Sequence, residues 1–480
     1  MRPRPMIVLW IALLLFLLAW IATAAWHVVK PMPPGLNVAT PWQPAGEVAF
    51  LADVTYTAPD GERRTEQAIF DRILELVGDA ERLLVLDMFL FNDFAGQVGD
   101  DHRPLSRELT RALIERQRER PELTIVLITD PVNTVYGSHD PAHLDALETA
   151  GIQVVRTDLE RLRDSNPLWS GLWRICCQWM DSRPGDGWLP DPLGDGKVTL
   201  ASLMRLLNFK ANHRKTVFAD RDGHWVGLVT SANPHDASSR HGNVALEFTG
   251  PAATDLLESE RAVARMSGAR FPDLPDMDAE APAGEDGRIR VLTEAAIRDA
   301  VIERIDAAQR GEAIDLAMFY LSHRGVIEAL LEARRRGVAL RVLMDANRDA
   351  FGREKGGIPN RPVGMELHRA GIPVRWCHTQ GEQCHSKFLN HRGKDGMSTL
   401  LLGSANFTRR NLDNYNLETS VEWRAPASHP AMRRAASFFE ARWDNGNGRR
   451  HSEPFERFAD DSAWHYWRYR FMESTGLSTF

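Results

Sequence analysis

Apolar and polar residues are distributed differently at the N-terminus and in the rest of the chain. From Met6 to Trp26 the chain is apolar and uncharged, and Thr23 supplies its polar side chain. A helix of this length, at about 1.5 Å per residue, crosses the roughly 30 Å hydrocarbon layer of a membrane. Arg2 and Arg4 precede the segment, so the positive-inside rule predicts a cytoplasmic N-terminus and an extracytoplasmic remainder.

The competing interpretation of this segment is a cleaved signal peptide, with Ala22-Thr23-Ala24 as its small-residue cleavage site. The apolar region of a signal peptide is usually only about 7–15 residues long. The pattern therefore favours an uncleaved membrane anchor over residues 1–30, followed by a stiff Pro-rich spacer at 31–46. We expect a single-pass protein of a bacterial-type inner membrane whose remaining residues lie on the periplasmic side.

After residue 46 the hydrophobic pattern becomes that of a folded α/β protein. Apolar residues recur with helical spacing at 69–74 and 297–302. Short apolar runs that end at Met88-Phe89 and Met318-Phe319 are typical of buried strands. Further helices and strands alternate after each of these runs. Strands that alternate with helices indicate a mostly parallel sheet covered by helices.

These elements occur twice in the same order, which indicates an internal repeat. Ala150-Gly151-Ile152 matches Ala370-Gly371-Ile372 at an offset of 220 residues, but His213 matches His385 at an offset of 172. The first half therefore contains 48 additional residues, which we assign to an insert at about 158–206. This insert is rich in tryptophan: Trp169, Trp173, Trp179 and Trp188.

A stretch rich in Pro, Asp, Ala and Gly separates the two halves and predicts an exposed linker at 271–285. It divides the chain into a first lobe at 47–270 and a second lobe at 286–480. The second lobe ends in an aromatic and basic segment, Trp464-His465-Tyr466-Trp467-Arg468-Tyr469. Tryptophan and tyrosine favour the headgroup level of a bilayer, although packing in a core explains any one of them equally well.

Composition and charge narrow the possible functions. With 43% hydrophobic and 26% charged residues, the chain has the composition of a globular protein. Its 480 residues suffice for two lobes with sizeable cores. A net charge of -7 argues against a general nucleic-acid binder, so we expect no nucleic-acid partner.

Four cysteines accompany the predicted extracytoplasmic location, which permits disulfides. Cys377 and Cys384 can form a local bridge, or one of them can pair with Cys176 or Cys177 of the insert. Cys377 and Cys384 are each followed by a histidine and could instead bind zinc, but their spacing is not that of usual zinc sites. We therefore expect neither a metal nor a cofactor.

The most informative pattern is a doubled His-x-Lys motif with matching downstream elements. The first copy comprises His213, Lys215, Asp220, Asn233 and Glu247, and the second comprises His385, Lys387, Asn406 and Glu418. The histidine-to-asparagine spacing is 20 and 21 residues, and the histidine-to-glutamate spacing is 34 and 33. Alternation places the histidine and lysine of each copy on one face of a strand. Two facing copies supply a nucleophile, a proton donor and cations, which is what cleavage of a phosphodiester needs.

This doubled motif resembles that of the phospholipase D superfamily, over about residues 47–445. The resemblance implies two similar α/β/α lobes, packed as a pseudo-twofold bilobed unit after the N-terminal transmembrane helix. It also implies that His213 attacks phosphorus and forms a phosphohistidine, while His385 protonates the leaving alcohol. By the same resemblance, the phosphate ligands are Lys215, Asn233, Lys387 and Asn406, and the histidine-orienting residues are Glu247 and Glu418.

The second copy departs from the family pattern at one position. Arg392 stands where the first copy has Asp220. We group Asp220 with the catalytic motif, although the resemblance implies that it is mainly a structural partner within it. We therefore expect the local scaffold of the second copy to differ more than its chemistry.

The resemblance and the membrane anchor together predict a phosphodiesterase or phosphatidyltransferase that acts on phospholipids. Water as the acceptor gives phosphatidic acid, and an alcohol gives a transfer product, as in cardiolipin synthesis. An extracytoplasmic nuclease and a non-catalytic phospholipid-binding scaffold are the alternatives. We predict that the insert lies beside the site and that Trp169 and Trp173 share a helical face that contacts lipid. The alternative is that the insert packs on its own lobe.

Overall fold

The computed structural model describes residues 5–94, 102–273, 287–350, 353–354, 356–478 and 480. Most of the linker predicted at 271–285 lies outside the described residues. The described parts on either side of it form two similar α/β units.

The elements of the N-terminal segment and first lobe are, in chain order, α1 (Pro5–Val29), β1 (Gln43–Pro44), β2 (Val48–Thr57), β3 (Arg63–Glu66), α2 (Ile69–Asp79), β4 (Leu83–Met88), α3 (Leu105–Glu119), β5 (Thr124–Thr129), α4 (Ala142–Thr149), β6 (Gln153–Arg156), α5 (Pro167–Cys176), β7 (Leu189–Pro190), β8 (Lys197–Val198), α6 (Leu200–Leu206), β9 (Lys215–Arg221), β10 (His224–Thr230), β11 (Asn243–Thr249) and α7 (Pro251–Met266). Those of the second lobe are β12 (Arg288–Thr293), α8 (Ala295–Ala307), β13 (Ala313–Met318), α9 (Arg324–Arg336), β14 (Ala339–Met344), β15 (Asp349–Ala350), β16 (Arg353–Glu354), α10 (Asn360–Arg369), β17 (Val374–Cys377), β18 (Lys387–Arg392), β19 (Met397–Gly403), α11 (Arg409–Leu412), β20 (Thr419–Pro426), α12 (Pro430–Asp444), β21 (Ser452–Pro454) and α13 (Ala463–Thr475).

The two large sheets share one strand order. It is β2-β11-β10-β9-β4-β5-β6 in the first lobe and β12-β20-β19-β18-β13-β14-β17 in the second. Strand β3 extends the first sheet, and β1 and β21 extend the second. The internal repeat found in the sequence is therefore a repeated sheet, and each His-x-Lys motif begins an equivalent strand, β9 or β18.

The expectation of a mostly parallel sheet is wrong. In the described chain, the parallel pairs of the large sheets are confined to β4-β5-β6 and β13-β14-β17. The reason is that both motif strands lead into hairpins. Strands β9 and β10 are joined by Asp222 and Gly223, which both have positive φ. A connection this short can only join antiparallel strands.

The two sheets pack face to face around a shared core. Helices α7 and α12 lie between them, with α7 against β10 and β12, and α12 against β2. Both lobes contribute the buried side chains of this layer, which include Phe50, Phe218, Ile289, Phe388, Trp423 and Phe438. The outer faces are covered by α2, α3 and α4 in the first lobe and by α8, α9 and α10 in the second. The chain is thus a bilobed α/β unit whose lobes share one hydrophobic layer.

The outer helices form where the apolar spacing in the sequence predicts them. On α3, Leu105, Leu109 and Leu113 recur every four residues and are all buried against the sheet. Burial of each leucine contributes about 1.5–3 kcal/mol relative to its exposure. On α9, Gly337 ends the helix in the left-handed conformation, which a residue without a Cβ adopts most readily.

The N-terminal helix is long and apolar enough, over Met6–Val29, to cross a membrane. The segment after it is extended, but it is not a free spacer. The N–H of Val38 donates to Oγ1 of Thr293 at 2.8 Å, and the N–H of Thr40 donates to the carbonyl oxygen of Val291 at 3.0 Å. The chain that leaves α1 is therefore bound along β12 of the second lobe.

The insert packs against α1. The indole N–H of Trp20 donates to the carbonyl oxygen of Leu168 at 2.8 Å. A Cβ at Gly171 would lie only 2.9 Å from that of Ala24, so the absence of a side chain lets α5 cross α1 closely. The first lobe therefore holds the N-terminal helix through its insert, while the second lobe holds the segment that follows.

The prediction that Trp169 and Trp173 share a lipid-facing surface is wrong. Trp173 is only 2% exposed and lies in the interior of the insert. The indole N–H of Trp169 donates to the carbonyl oxygen of Met204 at 3.0 Å, which ties α5 to α6. Both residues therefore stabilise the insert. Trp173 contributes the burial of its ring, and Trp169 contributes the hydrogen bond of its indole N–H.

Arg214, the middle residue of the first His-x-Lys motif, joins the two lobes. Its buried guanidinium lies 2.7 Å from Glu294 of the second lobe and 3.4 Å from Glu260 of α7. Glu294 also accepts hydrogen bonds from the N–H of Asn37 at 2.7 Å and from that of Glu418 at 3.2 Å. One buried ionic cluster therefore connects the segment after α1 with both motifs.

We expect Arg214→Met to lower the free energy of unfolding by about 3–5 kcal/mol, because it leaves buried carboxylates without their cation. The half-exposed pair Arg156–Glu148, at 2.8 Å, provides the control. Glu148→Gln should cost less than about 1 kcal/mol. Urea unfolding of the detergent-solubilised protein, followed by tryptophan fluorescence, measures both. Equal losses in the two variants would contradict a structural role for the cluster.

Candidate active site

Each His-x-Lys motif enters its sheet beside the opposite lobe. The N–H of His213 donates to the carbonyl oxygen of Leu417 at 2.9 Å, just before β20. The N–H of Gly242, just before β11, donates to the carbonyl oxygen of Gln383 at 2.9 Å. They belong to two parallel bridges, Asn212 with Leu417 and Cys384 with Gly242, which are equivalent in the repeat. Backbone hydrogen bonds between the lobes therefore bring the two motifs to one site.

His213 is oriented by a carboxylate of the other lobe. The histidine is 8% exposed, and its Nδ1 lies 2.9 Å from the fully buried Glu418. Ser404 Oγ and the side-chain amide of Asn411 donate to the same carboxylate. A carboxylate at this place accepts the Nδ1–H and leaves the lone pair on Nε2.

An amide occupies the equivalent place beside His385. Nδ1 of His385 lies 3.1 Å from Oδ1 of Asn243 and 3.0 Å from the carbonyl oxygen of Ser231. Ser231 Oγ donates to Asn243 just as Ser404 Oγ donates to Glu418. Asn243 is therefore the structural counterpart of Glu418, and the two histidines have unlike partners.

The prediction that Glu247 orients a histidine is wrong. Its carboxylate binds Arg72 at 2.6 Å and Arg221 at 3.2 Å. The equivalent residue of the second sheet is Glu422, which binds Arg290 at 2.7 Å and Arg304 at 2.8 Å.

The physical cause of this error is a difference in loop length. The serine and the acceptor of its hydroxyl are 12 residues apart in the first lobe and 14 in the second. Equal spacing in the sequence therefore matched Glu418 with a residue four positions beyond its true counterpart, Asn243. The signal that identifies Asn243 is the hydrogen bond from Ser231, which the sequence does not display.

Both motif lysines are buried at the start of their strands. Nζ of Lys215 donates to the carbonyl oxygen of His213 at 2.5 Å, and Nζ of Lys387 donates to that of His385 at 2.8 Å. Burial lowers the pKa of Lys215 to about 7 and that of Lys387 well below its usual value. An anion bound between them would favour the charged form of both side chains.

An aromatic ring lies against each motif. The ring centre of Phe89 is 4.7 Å from that of His213 and 4.9 Å from Nζ of Lys215. In the second motif, the ring centre of Phe319 is 5.0 Å from that of His385 and 5.3 Å from Nζ of Lys387. The repeat in the sequence contains both phenylalanines, but their contact with the motifs depends on the pairing of β4 with β9 and of β13 with β18.

Two further carboxylates hold the residues that precede the histidines. Asp130 accepts from the N–H of Asn212 at 2.7 Å, and Asp345 accepts from the N–H of Cys384 at 2.8 Å. Burial raises the pKa of Asp130 to about 7. These positioning residues were missed as functional residues, although their matched places after β5 and β14 are visible in the repeat.

The two motif asparagines lie just after β10 and β19 and are both nearly buried. Asn233 Oδ1 accepts from the N–H of Leu90 at 3.3 Å, beside the Phe89 segment. Asn406 Oδ1 makes no hydrogen bond to any of the described residues. The role of both amides in phosphate binding stays a prediction.

A family model described as "Cardiolipin synthase, PLD-like domain" matches residues 301–443. This span contains the second His-x-Lys motif and its asparagine. The chain thus contains a phospholipase D-like domain at these residues. No curated protein sequence matches it.

Comparison with solved structures bears on the fold alone. Phosphatidylserine synthase from Haemophilus influenzae Rd KW20 superposes with a TM-score of 0.56 at 9% identity, over 92% of this chain and 96% of the synthase. The polyphosphate kinase of Porphyromonas gingivalis gives 0.46 at 14% identity, over 89% of this chain and 53% of the kinase. Nuc, a phospholipase D family member from Salmonella typhimurium, gives a TM-score of 0.27 at 23% identity, over 34% of this chain and 97% of Nuc.

The aspartate of this phospholipase D-type motif is structural. Asp220 lies at the far end of β9, roughly 23 Å of extended strand from His213. Its carboxylate accepts from the N–H groups of Arg82 at 2.9 Å and Leu83 at 3.1 Å, which fixes the start of β4. Grouping Asp220 with the catalytic residues was therefore wrong, because the strand carries its side chain away from the site.

The departure from the superfamily pattern in the second copy also lies at this far end. Arg392 binds Asp315 at 3.1 Å and Glu440 at 3.3 Å. It therefore ties β18 to β13 and α12, where the first motif instead holds backbone N–H groups. The substitution changes the scaffold at the end of the strand that is remote from His385.

The cysteines near the second motif form a disulfide, Cys377–Cys384, and the insert contains a second one, Cys176–Cys177. The local pairing is therefore the one adopted, rather than a bridge from the insert to this loop. The zinc alternative is wrong, because a sulfur in a disulfide is not the thiolate that binds zinc. The bridge fixes the residue immediately before His385.

Burial disfavours the charged form of both motif histidines. Burial lowers the pKa of His213 to about 4, against the opposing effect of Glu418. Burial, together with Lys387, holds the pKa of His385 well below its usual range. A neutral imidazole with a free Nε2 lone pair is the form that can attack phosphorus.

The neutral state of His213 should make folding stability depend on pH. Its pKa is about 4 in the folded protein against 6.5 for an exposed histidine, so in this window the unfolded chain binds a proton that the folded chain does not. The contribution of His213 to the free energy of unfolding is therefore complete above pH 6.5, and it is lost as the pH falls towards 4. His213→Gln should flatten the plot of unfolding midpoint against pH, whereas His224→Gln, at an exposed hairpin position, should not. Parallel plots for His213→Gln and the unaltered protein would contradict the neutral state.

Proposed function

We propose that the protein is a membrane-anchored phosphodiesterase or phosphatidyltransferase of the phospholipase D type and that phospholipids are its substrates. The observation that carries this proposal is the meeting of two His-x-Lys motifs, one histidine held by Glu418 and the other by Asn243. The apolar helix α1 and the cardiolipin synthase description of the family model support a lipid substrate. We further propose that α1 remains as the anchor and that both lobes, 47–270 and 286–480, lie on the periplasmic side.

The reaction begins at His213. Its Nε2 attacks the lipid phosphorus, a P–N bond forms, and the bond from phosphorus to the headgroup oxygen breaks. His385, protonated at Nε2 once the anionic substrate is bound, gives that proton to the departing oxygen, so the headgroup leaves as an alcohol. Charge on the phosphoryl oxygens is stabilised by Lys215, Lys387, Asn233 and Asn406.

An acceptor then resolves the phosphohistidine. His385, now neutral, removes a proton from the acceptor, whose oxygen attacks phosphorus and breaks the P–N bond. Water gives phosphatidic acid, and an alcohol such as glycerol gives a new phosphodiester. Either acceptor returns His213 to its neutral form and leaves His385 protonated, and His385 releases this proton to water when the anionic product leaves the site.

The unlike partners of the two histidines support this assignment of roles. When Nε2 of His213 is phosphorylated while Nδ1 keeps its proton, the ring becomes positively charged. The buried carboxylate of Glu418 offsets that charge. The neutral amide of Asn243 offers His385 no comparable compensation. Glu418 therefore favours His213 as the nucleophile.

We expect the full-length protein to convert labelled phospholipid in vesicles with EDTA present, and glycerol to divert product from phosphatidic acid to phosphatidylglycerol. His213→Ala, His385→Ala and the double variant should fall to similar residual rates, each at least about 10²-fold below the unaltered protein, because both groups serve one mechanism.

His224→Ala, at the exposed hairpin, is the matched control and should keep full activity. Cleavage of labelled DNA without turnover of lipid would replace the proposal with the nuclease. Binding of vesicles without turnover of either substrate would replace it with the scaffold. Complete loss of activity in EDTA, restored by Zn²⁺ or Mg²⁺, would contradict the metal-independent mechanism.

Rapid quenching with phosphate-labelled lipid should trap the label on the peptide that contains His213. Glu418→Gln should reduce the yield of the trapped intermediate and lower kcat by about 10²-fold or more, because it removes the charge that stabilises the phosphorylated ring. Asn243→Ala should have a smaller effect on the trapped yield. Label on the peptide of His385, or a greater loss in Asn243→Ala, would reverse the two roles.

A further inference from the structure

Helix α13 exposes an aromatic stripe. Trp464, Trp467 and Phe471 are 71%, 65% and 58% exposed, and their spacing of three and four residues places them on one side of the helix. The opposite side is buried, and Glu473 there accepts from Ser322 Oγ at 2.8 Å. An exposed helix of a protein surrounded by water normally carries its polar side outward. On α13 a large apolar surface points away from the protein instead.

The end of α13 lies against the insert. Gly476, which terminates the helix, contacts the carbonyl oxygen of Ser165 so closely that a side chain cannot be accommodated. Beside this contact, the insert and the C-terminal residues enclose an apolar cleft of about 400 Å³. Its apolar lining comprises Trp169, Leu207, Phe209, Met472 and Leu477.

The insert also determines where the exposed side of α13 lies along the axis of α1. Leu168, which is 50% exposed, receives the hydrogen bond from Trp20. Trp20 lies six residues before Trp26, the last residue of the uncharged run. Six helical residues correspond to about 9 Å along the axis. A membrane that α1 spans would therefore reach the start of α5, and with it the adjoining end of α13.

We propose that the aromatic stripe of α13, together with Leu168, Leu207 and Leu477, is a second contact with the outer leaflet of the bilayer that α1 spans, and that the cleft beside it takes an acyl chain. The acyl-chain assignment rests on the proposed function. Tryptophan is the residue that prefers the headgroup level, and the exposed Arg468 on the same side of α13 suits anionic headgroups.

A second copy of the chain fits this surface less well. Three aromatic side chains bury at most about 450–750 Å². A standard protein interface buries roughly 800 Å² on each partner. Continuity with α1 is the stronger argument, because a copy placed on the stripe would share its site with the membrane next to Leu168.

The segment that lines the cleft continues along the chain into the first motif. Phe209 lines it, and its carbonyl oxygen accepts from Ser165 Oγ at 3.0 Å. Four residues later the chain reaches His213. An acyl chain in the cleft would leave the lipid phosphate near the segment that carries the proposed nucleophile. The surface would thus fix the orientation of the site relative to the leaflet that contains its substrate.

Site-specific photo-crosslinking tests the surface without requiring turnover. Benzoylphenylalanine replaces Trp467 in one variant of the full-length protein and the exposed Asp222 in the control. Asp222 lies in the β9–β10 hairpin, roughly 23 Å along β9 from the first motif, and is not part of the proposed surface. In vesicles of phosphatidylcholine and phosphatidylglycerol, irradiation should add the mass of a phospholipid at position 467 and not at 222. Crosslinks between protein chains, equal lipid addition at both positions, or no lipid addition at 467 would overturn the proposal.

Turnover tests separately whether the stripe helps the site to reach lipid in a bilayer. The triple variant Trp464→Ser, Trp467→Ser and Phe471→Ser should lose activity several-fold on vesicles and keep it on monomeric short-chain phospholipid. Equal losses on both substrates would overturn the role of the stripe in reaching lipid. If the unaltered protein turns over neither substrate, the proposed function fails while the crosslinking result still decides whether the surface contacts the bilayer.

Discussion

The exchange of hydrogen bonds between the two lobes is the constraint on which the rest of the structure depends. The strand that carries His213 begins on the carbonyl oxygen of Leu417, and the orienting carboxylate of this histidine, Glu418, is the next residue of the second lobe. Neither lobe alone holds a complete histidine with its partner. The shared hydrophobic layer around α7 and α12 and the buried cluster of Arg214 with Glu294 keep this arrangement in place.

Burial governs the chemistry that the assembled site can perform. Lys215 and Lys387 lie in surroundings that disfavour their charge, and both histidines are neutral there. An anionic phosphodiester changes this balance, because it stabilises the cationic forms of the lysines and of the proton-donating histidine. The free site is thus poorly suited to bind cations and is well suited to bind a phosphate. The difference between Glu418 and Asn243 then gives the two otherwise similar half-sites different tasks.

The two halves of the repeat differ in that the first one contains an insert. The additional residues of the first half form an insert that holds α1 through Trp20 and adjoins the end of α13. The segment after α1 runs along β12 and reaches Glu294 in the ionic cluster. The N-terminal helix is therefore attached to both lobes, close to the chain that leads into the first motif. Such an attachment restricts how the site can be presented to a membrane, which a flexible spacer would not do.

The sequence by itself determined the repeated α/β architecture, the apolar N-terminal helix, the insert and the two His-x-Lys motifs, because each is encoded by local spacing or by a match between the halves. Strand direction was not encoded in this way, since the hairpins after β9 and β18 depend on turns that the apolar pattern does not show. The partner of each histidine was likewise decided only by the tertiary structure. Loops of unequal length place Asn243, and not Glu247, opposite Glu418, and the contact crosses between lobes. The tryptophans of the insert show the same limit: their spacing predicts one helical face, but only the packing of α5 against α1 and α6 determines that Trp173 is inside.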